Sequence, residues 1–431
     1  MKKKILYLTV IALFFVCGNN MAQGTWTHFT KKDGLASTWV LDCLEDQQGN
    51  MWFATDNGLN KFDGISFSTF DNEDGLPGGF IKNIYDDKDG NIWILSGKNA
   101  YNIILKDVVY RDIGISVLDK KNKINALNVR QKEYLFGMIT EDINGNIWLG
   151  GYNSKEEKPF IVKNFDGKNW EKLPYINNSD CKPFVRFFID NYGNIWTIPM
   201  KQKDGYLQRF DGNNWKSYGK NDGFSSKNRD RAFQVLFEDR NGNLWFGASY
   251  ENRYGSLLKF DGSSWTNFNE MGSIIGNSIN SINEDNDGNI WIVTNKGINV
   301  FNGSSWVYYS EKDQLPTNII NTTIVDSKGR VWIGTAKGLV LFDNGKWSQF
   351  KSQNSIAHNN VRVIKEDSRG NIWVGAASAA KKGGISVYID NKWMSFTSVK
   401  LPNFYTHDIF EDSKGNMWIL TIGNGVFKYE Y

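Results

Sequence analysis

An all-β fold made of repeated sheets is predicted by three features of the 431-residue sequence. The first is a seven-residue pattern, Asp-x-x-Gly-(Asn or Arg)-x-Trp, which occurs nine times at intervals of 41 to 55 residues. The second is the strand-like chemistry around each copy, and the third is an aromatic pattern that ends most repeats. A period of this length with β-rich flanks is typical of the blades of a β-propeller. The copies begin at Asp46, Asp87, Asp142, Asp190, Asp239, Asp285, Asp326, Asp367 and Asp412.

One repeat, residues 318–350, shows how four strands follow from the pattern. Asp326 and Gly329 supply turn chemistry, because an Asp side chain bonds its own downstream backbone and Gly tolerates a positive φ. The segments on either side are short and rich in apolar or β-branched residues, which favours an antiparallel sheet joined by tight turns. The four predicted strands are 318–325, 331–334, 339–342 and 347–350.

The two ends of the chain predict how the blades close into a ring. The fourth strand of a repeat usually reads Trp-x-x-(aromatic), and the segment from Trp26 to Phe29 has this pattern with no blade before it. The ninth repeat stops at its third strand, near Tyr429. Pairing these two segments completes the last blade and removes two exposed sheet edges. We therefore expect a single propeller of nine four-stranded blades.

Two repeats depart from the pattern and leave eight blades as the alternative. The second repeat lacks the usual turn at residues 96–101 and is followed by a long insert, residues 111–132. The fourth repeat lacks the glycine after its second strand. If either repeat fails to form a blade, the count falls to eight.

The N-terminal residues predict a secretory leader. Three lysines precede a short apolar run from Ile5 to Cys17, and Ala22 provides a small residue before the predicted cleavage site. The domains are therefore a signal peptide at 1–22 and a propeller at 23–431. We expect an exported protein, in the periplasm or at the cell surface, with lipid attachment at Cys17 as the less favoured alternative.

The charge balance argues against nucleic-acid binding. The net charge of the whole sequence is +3, and residues 1–22 carry three lysines and no acid, so the rest has equal numbers of acidic and basic side chains. Nucleic-acid-binding domains usually carry a basic excess or stripe. We also expect no membrane span after the leader, because no later apolar run approaches 18 residues. Cys43 and Cys181 are expected to be free thiols in a monomer.

The repeats resemble those of the two-component regulator propeller family. The resemblance lies in Trp332-Ile-Gly-Thr335, Lys337-Gly-Leu339, Phe62-Asp-Gly64 and Asp74-Gly-Leu-Pro77, within the repeated Asp-x-x-Gly-Asn-x-Trp pattern. It implies an exported sensor-type propeller, of the kind that forms part of hybrid sensor kinases in Bacteroidetes and often responds to glycans. Because no kinase segment follows the repeats, we expect a binding module rather than a kinase.

Catalytic and metal-binding patterns are not evident in the sequence. His28, His358 and His407 have no metal-ligand spacing to another histidine, cysteine or carboxylate, so we expect no metal and no cofactor. His407 is the one histidine on a predicted inner strand, but its neighbour Asp408 is expected on the opposite face. We therefore favour a protein that is not an enzyme.

A polar ligand site is predicted at the start of the inner strands. When the repeats are aligned on the motif Asp, the residue six before it is nearly always apolar, whereas polar residues concentrate five and eight before it. Amides and guanidinium groups beside aromatic rings suit a carbohydrate or an anionic sugar. The predicted residues are Arg231, Gln234, Asn280, Asn321, Arg362 and His407, with Tyr405 and Phe404 at the rim.

Three functions remain open at this stage. The first is a sensor-like binding module for a small molecule or glycan, and the second is a propeller lyase or hydrolase with its site at the central channel. The third is a platform for a protein partner, such as a separate sensor. Fold alone does not decide among them.

Overall fold

A computed structural model describes most of the chain after the predicted leader. The described residues are 24–97, 114–119, 123–126, 134–142, 144–153, 158–164, 170–172, 186–198, 207–219, 222, 232–249, 256–268, 274–276, 278–377, 383–396 and 405–431. No helix in these ranges is long and apolar enough to cross a bilayer. Cys43 is a free thiol, whereas Cys181 lies outside these ranges.

Nine antiparallel sheets of four strands each are present, as the repeat count predicts. Sheets 1 to 8 each use four consecutive strands. The first of them, the inner strand, forms one edge of the sheet, and the fourth forms the opposite edge. Sheet 1 contains β2 (Val40–Glu45), β3 (Met51–Thr55), β4 (Gly58–Phe62) and β5 (Phe67–Phe70). Sheet 2 contains β6 (Phe80–Asp86), β7 (Ile92–Gly97), β8 (Gly114–Leu118) and β9 (Ile124–Ala126). Sheet 3 contains β10 (Tyr134–Glu141), β11 (Ile147–Asn153), β12 (Lys158–Asn164) and β13 (Trp170–Lys172).

The next three sheets repeat this order. Sheet 4 contains β14 (Arg186–Ile189), β15 (Ile195–Ile198), β16 (Leu207–Phe210) and β17 (Trp215–Tyr218). Sheet 5 contains β18 (Ala232–Glu238), β19 (Leu244–Ser249), β20 (Ser256–Phe260) and β21 (Trp265–Asn267). Sheet 6 contains β22 (Ile279–Glu284), β23 (Ile290–Thr294), β24 (Gly297–Phe301) and β25 (Trp306–Tyr309).

The last three sheets include the one that uses both ends of the chain. Sheet 7 contains β26 (Ile320–Val325), β27 (Val331–Thr335), β28 (Gly338–Asp343) and β29 (Lys346–Phe350). Sheet 8 contains β30 (Val361–Glu366), β31 (Ile372–Ala377), β32 (Gly383–Ile389) and β33 (Lys392–Phe396). Sheet 9 contains β34 (Tyr405–Glu411), β35 (Met417–Ile422), β36 (Val426–Glu430) and the N-terminal β1 (Thr25–Phe29), and a short 3-10 turn, Lys31–Asp33, follows β1.

The predicted completion of the last blade is confirmed. Strand β1 pairs antiparallel with β36 over five residue pairs, with Trp26 opposite Tyr429. The Trp26 ring also packs against Phe396, with ring centroids 5.0 Å apart. The fold class is thus an all-β propeller with nine blades, and the alternative count of eight is wrong. The second repeat forms a full blade because β8 and β9 lie inside the segment that was expected to be an insert.

The sheets fall into two compact units. The first comprises residues 1–132, 337–339 and 350–431 and holds sheets 1, 2, 8 and 9. The second comprises residues 133–336 and 340–349 and holds sheets 3 to 6 and most of sheet 7.

Within each unit, the repeated tryptophan of one sheet packs into the next sheet. In the first unit Trp418 of sheet 9 is 1% exposed and lies in a cluster with Phe53 and Phe62 of sheet 1. In the second unit Trp245 of sheet 5 lies in a cluster with Ile279 of sheet 6. Burying an indole ring in this way provides a large apolar contact at each of these junctions. The predicted role of these tryptophans in packing between blades is confirmed at these junctions.

The repeated aspartate holds the hairpin turn and orients the tryptophan. In all nine sheets its Oδ2 accepts a hydrogen bond from the Trp Nε1–H at 2.7–2.9 Å. Its Oδ1 accepts from the backbone N–H four residues later at 2.8–2.9 Å. The turn glycine has φ between 72° and 82°, which L side chains rarely adopt. These contacts explain why the turn has nearly the same sequence in all nine repeats.

A glutamate before the motif Asp links one sheet to the preceding turn. Glu411 accepts hydrogen bonds from the backbone N–H and hydroxyl of Ser368, at 2.7 and 2.6 Å. Glu45 bonds Ser413 in the same way, with 2.6 Å between its carboxylate and the hydroxyl. Similar contacts to backbone N–H groups join sheets 4 to 6 in the second unit. At these junctions the hairpin ends of neighbouring sheets are therefore joined by polar contacts as well as by the indole ring.

Candidate ligand-binding site

A β-bulge occurs at the same place in the inner strands. In eight sheets the pairing register shifts at the residue five before the motif Asp, so that this residue has no partner on the second strand. In sheet 4 the equivalent residue lies outside the described part of the chain. A bulge leaves one residue outside the ladder and re-aims its side chain. The bulge residues are Leu41, Lys82, Gly137, Gln234, Asn280, Asn321, Arg362 and His407.

Six of the eight predicted site residues can be located on these strands. Gln234, Asn280, Asn321, Arg362 and His407 are all bulge residues, and Tyr405 opens β34. The other two, Arg231 and Phe404, lie outside the described residues. The sequence alignment therefore identified one structural position shared by five of the predicted residues.

The exposure of the side chains differs among these residues. Asn280, Arg362 and His407 are exposed, whereas Asn321 and Tyr405 are half-buried. His407 Nε2 lies 3.0 Å from the carbonyl oxygen of Leu41, the bulge residue of the neighbouring strand.

The predicted residues belong to two groups. Tyr405, Arg362 and His407 lie in the first unit, and Asn280 and Asn321 lie in the second. In the second unit Asn280 Oδ1 accepts a hydrogen bond from the Ser278 hydroxyl at 3.3 Å.

The expectation of strict strand alternation is wrong at this end of the strand. His407 and Asp408 were expected on opposite faces, but both side chains are exposed because the bulge interrupts the alternation. A signal for the bulge was present in the sequence. The buried residues Ile279 and Ile282 are three apart, which a regular strand of period two does not allow.

Asp42 and Asp408 were not among the predicted site residues. They occupy equivalent positions in β2 and β34, directly after the bulge. The Asp42 carboxylate accepts hydrogen bonds from Asn83 Nδ2 and the Ile84 N–H, both at 3.1 Å, on the neighbouring strand β6. Burial raises the pKa of Asp42 above its usual value, and the nearby charge of Asp408 adds to the effect while the hydrogen bonds oppose it.

Trp39 was also missed, although it is the one tryptophan outside the repeat patterns. It forms an isolated antiparallel bridge with Ile422, the last residue of β35. Tyr405 pairs with the same Ile422 as part of the β34–β35 ladder. The fold thereby places two aromatic residues that are far apart in sequence on either side of one isoleucine.

Two polar residues at the position eight before the motif Asp serve loop structure. Asn318 Oδ1 accepts from the Glu311 N–H at 2.9 Å, and Asn359 Oδ1 accepts from the Ser352 N–H at 2.7 Å. These amides are acceptors for the incoming loop. Polarity at this position therefore has a structural cause in two sheets.

The described residues contain no group of three or more His, Cys, Asp or Glu side chains placed to bind a metal.

The repeats match a known family model. Six segments match the model described as two component regulator propeller: residues 34–57, 75–98, 273–296, 314–337, 355–378 and 400–423. They cover the inner and second strands of sheets 1, 2, 6, 7, 8 and 9. The recognition made from the sequence is confirmed, and the chain carries two-component regulator propeller repeats.

A curated protein shares a short stretch with this chain. It is named Histidine kinase P4, from Formosa agariphila, and is 35% identical over 71 residues, which is 16% of this chain and 5% of that protein. The chain thus spans only a small part of the length of this relative.

Solved propeller structures resemble the chain at low identity. One is an extracellular domain assigned to a hybrid two-component system of B. thetaiotaomicron, 18% identical, covering 94% of this chain and 83% of that one, with a TM-score of 0.38. Another is virginiamycin B lyase from Staphylococcus aureus, 15% identical, covering 81% and 94%, with a TM-score of 0.41. A third is PorZ, a surface component of the type-IX secretion system of Porphyromonas gingivalis, 14% identical, covering 93% and 80%, with a TM-score of 0.38.

Proposed function

We propose that this chain is an exported binding module that holds a polar small molecule or glycan through side chains at the bulge positions of its inner strands. The observation that carries the proposal is the bulge itself. It recurs in eight sheets with the same register shift but with seven different residue types. A constant backbone with a varied side chain is a suitable scaffold for recognition.

The first unit supplies the best-defined contacts. Arg362 is exposed, and none of the described carboxylates forms an ion pair with it, so its guanidinium is available to a ligand. His407 is exposed and has one ring nitrogen beside the Leu41 carbonyl, which leaves the other for a ligand. Guanidinium and imidazole groups can bind hydroxyl and carboxylate groups of sugars.

The second unit supports the proposal with amides. Asn280 is exposed at its bulge, and an amide offers both donors and acceptors to a hydroxyl-rich ligand. Asn321, at the next bulge along the chain, and Gln234, on the preceding inner strand, have the same chemistry.

Export and partnership complete the proposal. Residues 1–22 act as a signal peptide, and the propeller from residue 23 works in the periplasm or at the cell surface. The binding module passes its signal to a separate sensor protein. Lipid attachment at Cys17 remains the alternative mode of anchoring.

Screening the chain from residue 23 on a glycan array tests the proposal. We expect specific signals that fall at least about tenfold in the Arg362→Ala variant, the loss for one charge-assisted hydrogen bond. Lys365→Ala is the matched control, because Lys365 is an exposed cation on the same strand at its hairpin end. An array without specific signals, or equal losses in the two variants, contradicts the proposal.

A further inference from the structure

We propose that Trp39 and Tyr405, with Ile422 between them, form a stacking subsite for a pyranose ring. This inference rests on the proposed function, because it assigns the ligand class and a new contact to the ligand site of the first unit. Trp39 is the new element, since the sequence patterns leave it unexplained.

The backbone pairing defines the spacing of the two rings. Ile422 pairs with Tyr405 on one side and forms a bridge with Trp39 on the other. Neighbouring strands lie about 4.8 Å apart, so the two aromatic Cα atoms are separated by about 10 Å. All three side chains are half-buried, and together they form a short apolar strip at the surface of sheet 9.

Several contacts hold the Trp39 segment in place. The carbonyl of Thr38 accepts hydrogen bonds from the N–H groups of Gly423 and Gly425, both at 2.9 Å. The carbonyl of Trp39 accepts from the Asp56 N–H at 3.3 Å. A tryptophan on a backbone held at both neighbouring sheets provides a preorganised surface, which lowers the entropic cost of binding.

The indole of Trp39 differs from the repeated indoles. Sixteen of the 17 tryptophans belong to the two repeat patterns, and those of the hairpin motif donate their Nε1–H to an aspartate. No described residue accepts a hydrogen bond from the Nε1–H of Trp39. A Cβ built on exposed Gly423 lies 3.6 Å from this nitrogen, so the absence of a side chain there leaves the indole edge open.

Hydrogen-bond donors and acceptors lie on β34, which carries Tyr405, and on the adjacent inner strand β30. His407 and Asp408 follow Tyr405 on β34, and Arg362 is the bulge residue of the adjacent inner strand β30. Arginine only donates, a carboxylate only accepts, and neutral histidine does both. A pyranose has an apolar C–H face and a rim of hydroxyl groups that donate and accept, so it matches both parts of this surface.

The size of the strip favours a sugar over a protein partner. Stable protein interfaces bury roughly 800 Å² on each partner and centre on a larger apolar core. A strip of three half-buried side chains is too small for that. It matches one or two sugar rings instead.

The experiment compares variants of the chain from residue 23 on the same glycan array, followed by calorimetric titration with each of cellohexaose, laminarihexaose, mannohexaose, xylohexaose and oligogalacturonate. We expect Trp39→Ala and Tyr405→Ala each to weaken binding at least about tenfold. Trp39→Phe should retain most of the affinity, whereas Trp39→Leu, which is apolar but has no ring, should lose it. Tyr192→Ala is the control, because Tyr192 is 75% exposed and lies in the second unit.

The outcomes separate this inference from the proposed function. Binding that survives in Trp39→Ala and Trp39→Leu but is lost in Arg362→Ala overturns the stacking subsite and leaves the binding module standing. Wild-type protein without a signal on the array or in any titration overturns both. Circular dichroism melts of each variant identify those that fail to fold, and the Trp39→Phe and Trp39→Leu pair then carries the comparison.

Discussion

Each inner strand has a hairpin end, where it enters the turn of the motif Asp, and a bulge end, where the β-bulge lies in eight of the sheets. The two ends differ in which features recur from sheet to sheet. At the hairpin end the motif Asp and Trp are the same in nine sheets, and the hydrogen bond between them recurs with a length of 2.7–2.9 Å. At the bulge end the backbone is the same, but the side chain ranges from Leu41 and Gly137 to Arg362 and His407. Repeated side chains satisfy one another and hold the blades together. The varied side chains on this repeated backbone are the ones that we propose contact a ligand.

Replacing a hairpin-end tryptophan should give the largest effect on stability. Trp418→Ala removes a residue that is 1% exposed. Its ring centroid lies 5.4 Å from that of Phe53 and 5.8 Å from that of Phe62. We expect a loss of about 3–5 kcal/mol in the free energy of unfolding, since the cavity adds to the lost burial. Chemical denaturation followed by circular dichroism measures it. Trp39→Ala should lower the free energy of unfolding by clearly less. Equal losses in the two variants would contradict the proposed difference between the hairpin end and the bulge end.

Replacing the motif aspartate should give the next largest effect. Asp412→Ala removes the acceptor of the Trp418 Nε1–H and of the Asn416 N–H, both at 2.8 Å. We expect a loss of about 1–3 kcal/mol in unfolding free energy, because these buried donors are left without a partner. Asp412→Asn keeps the acceptor for the backbone and should lose less. If the two variants unfold at the same denaturant concentration, the hydrogen bond from the Asn416 N–H contributes little.

The glutamate link between neighbouring sheets should contribute a smaller amount. Glu411→Ala removes the acceptor of both Ser368 hydrogen bonds, at 2.7 and 2.6 Å, in a partly exposed place. We expect a loss of about 1 kcal/mol in unfolding free energy after solvent screening. Glu430→Ala is the control, because Glu430 forms a partly exposed ion pair with Lys428 in the same sheet. The control should unfold like the wild type, and a larger loss there would contradict the assignment.

A bulge-end substitution should change stability least. Arg362→Ala alters an exposed side chain that has no ion pair among the described residues, so we expect a change within about 0.5 kcal/mol. The same denaturation experiment measures it. The same variant should lose ligand binding while it keeps its stability, and this result would distinguish the bulge end from the hairpin end. A loss of stability above about 2 kcal/mol would mean that this end is structural as well.

Much of the fold was predictable because its signals are local. The Asp–Gly turn and the flanking apolar runs define each hairpin within about 30 residues, and hairpin chemistry acts over short distances in the chain. The Trp26–Phe29 segment added the one long-range pairing, since its pattern matched the strand that the last repeat lacked. The same logic failed for β8 and β9, whose strands do not follow the pattern.

Alignment of the repeats alone located five of the predicted site residues at one shared position. It did not explain why that position differs from the rest of the strand. The sequence by itself determined that polar residues such as Asn280 and Arg362 recur at one place in the repeat. Only the tertiary structure decided that Asp42 bonds the edge of the next strand and that Trp39 lies beside Ile422 and Tyr405. Those contacts join residues about 40 to almost 400 positions apart, and no local pattern of propensity or periodicity encodes which distant strands become neighbours.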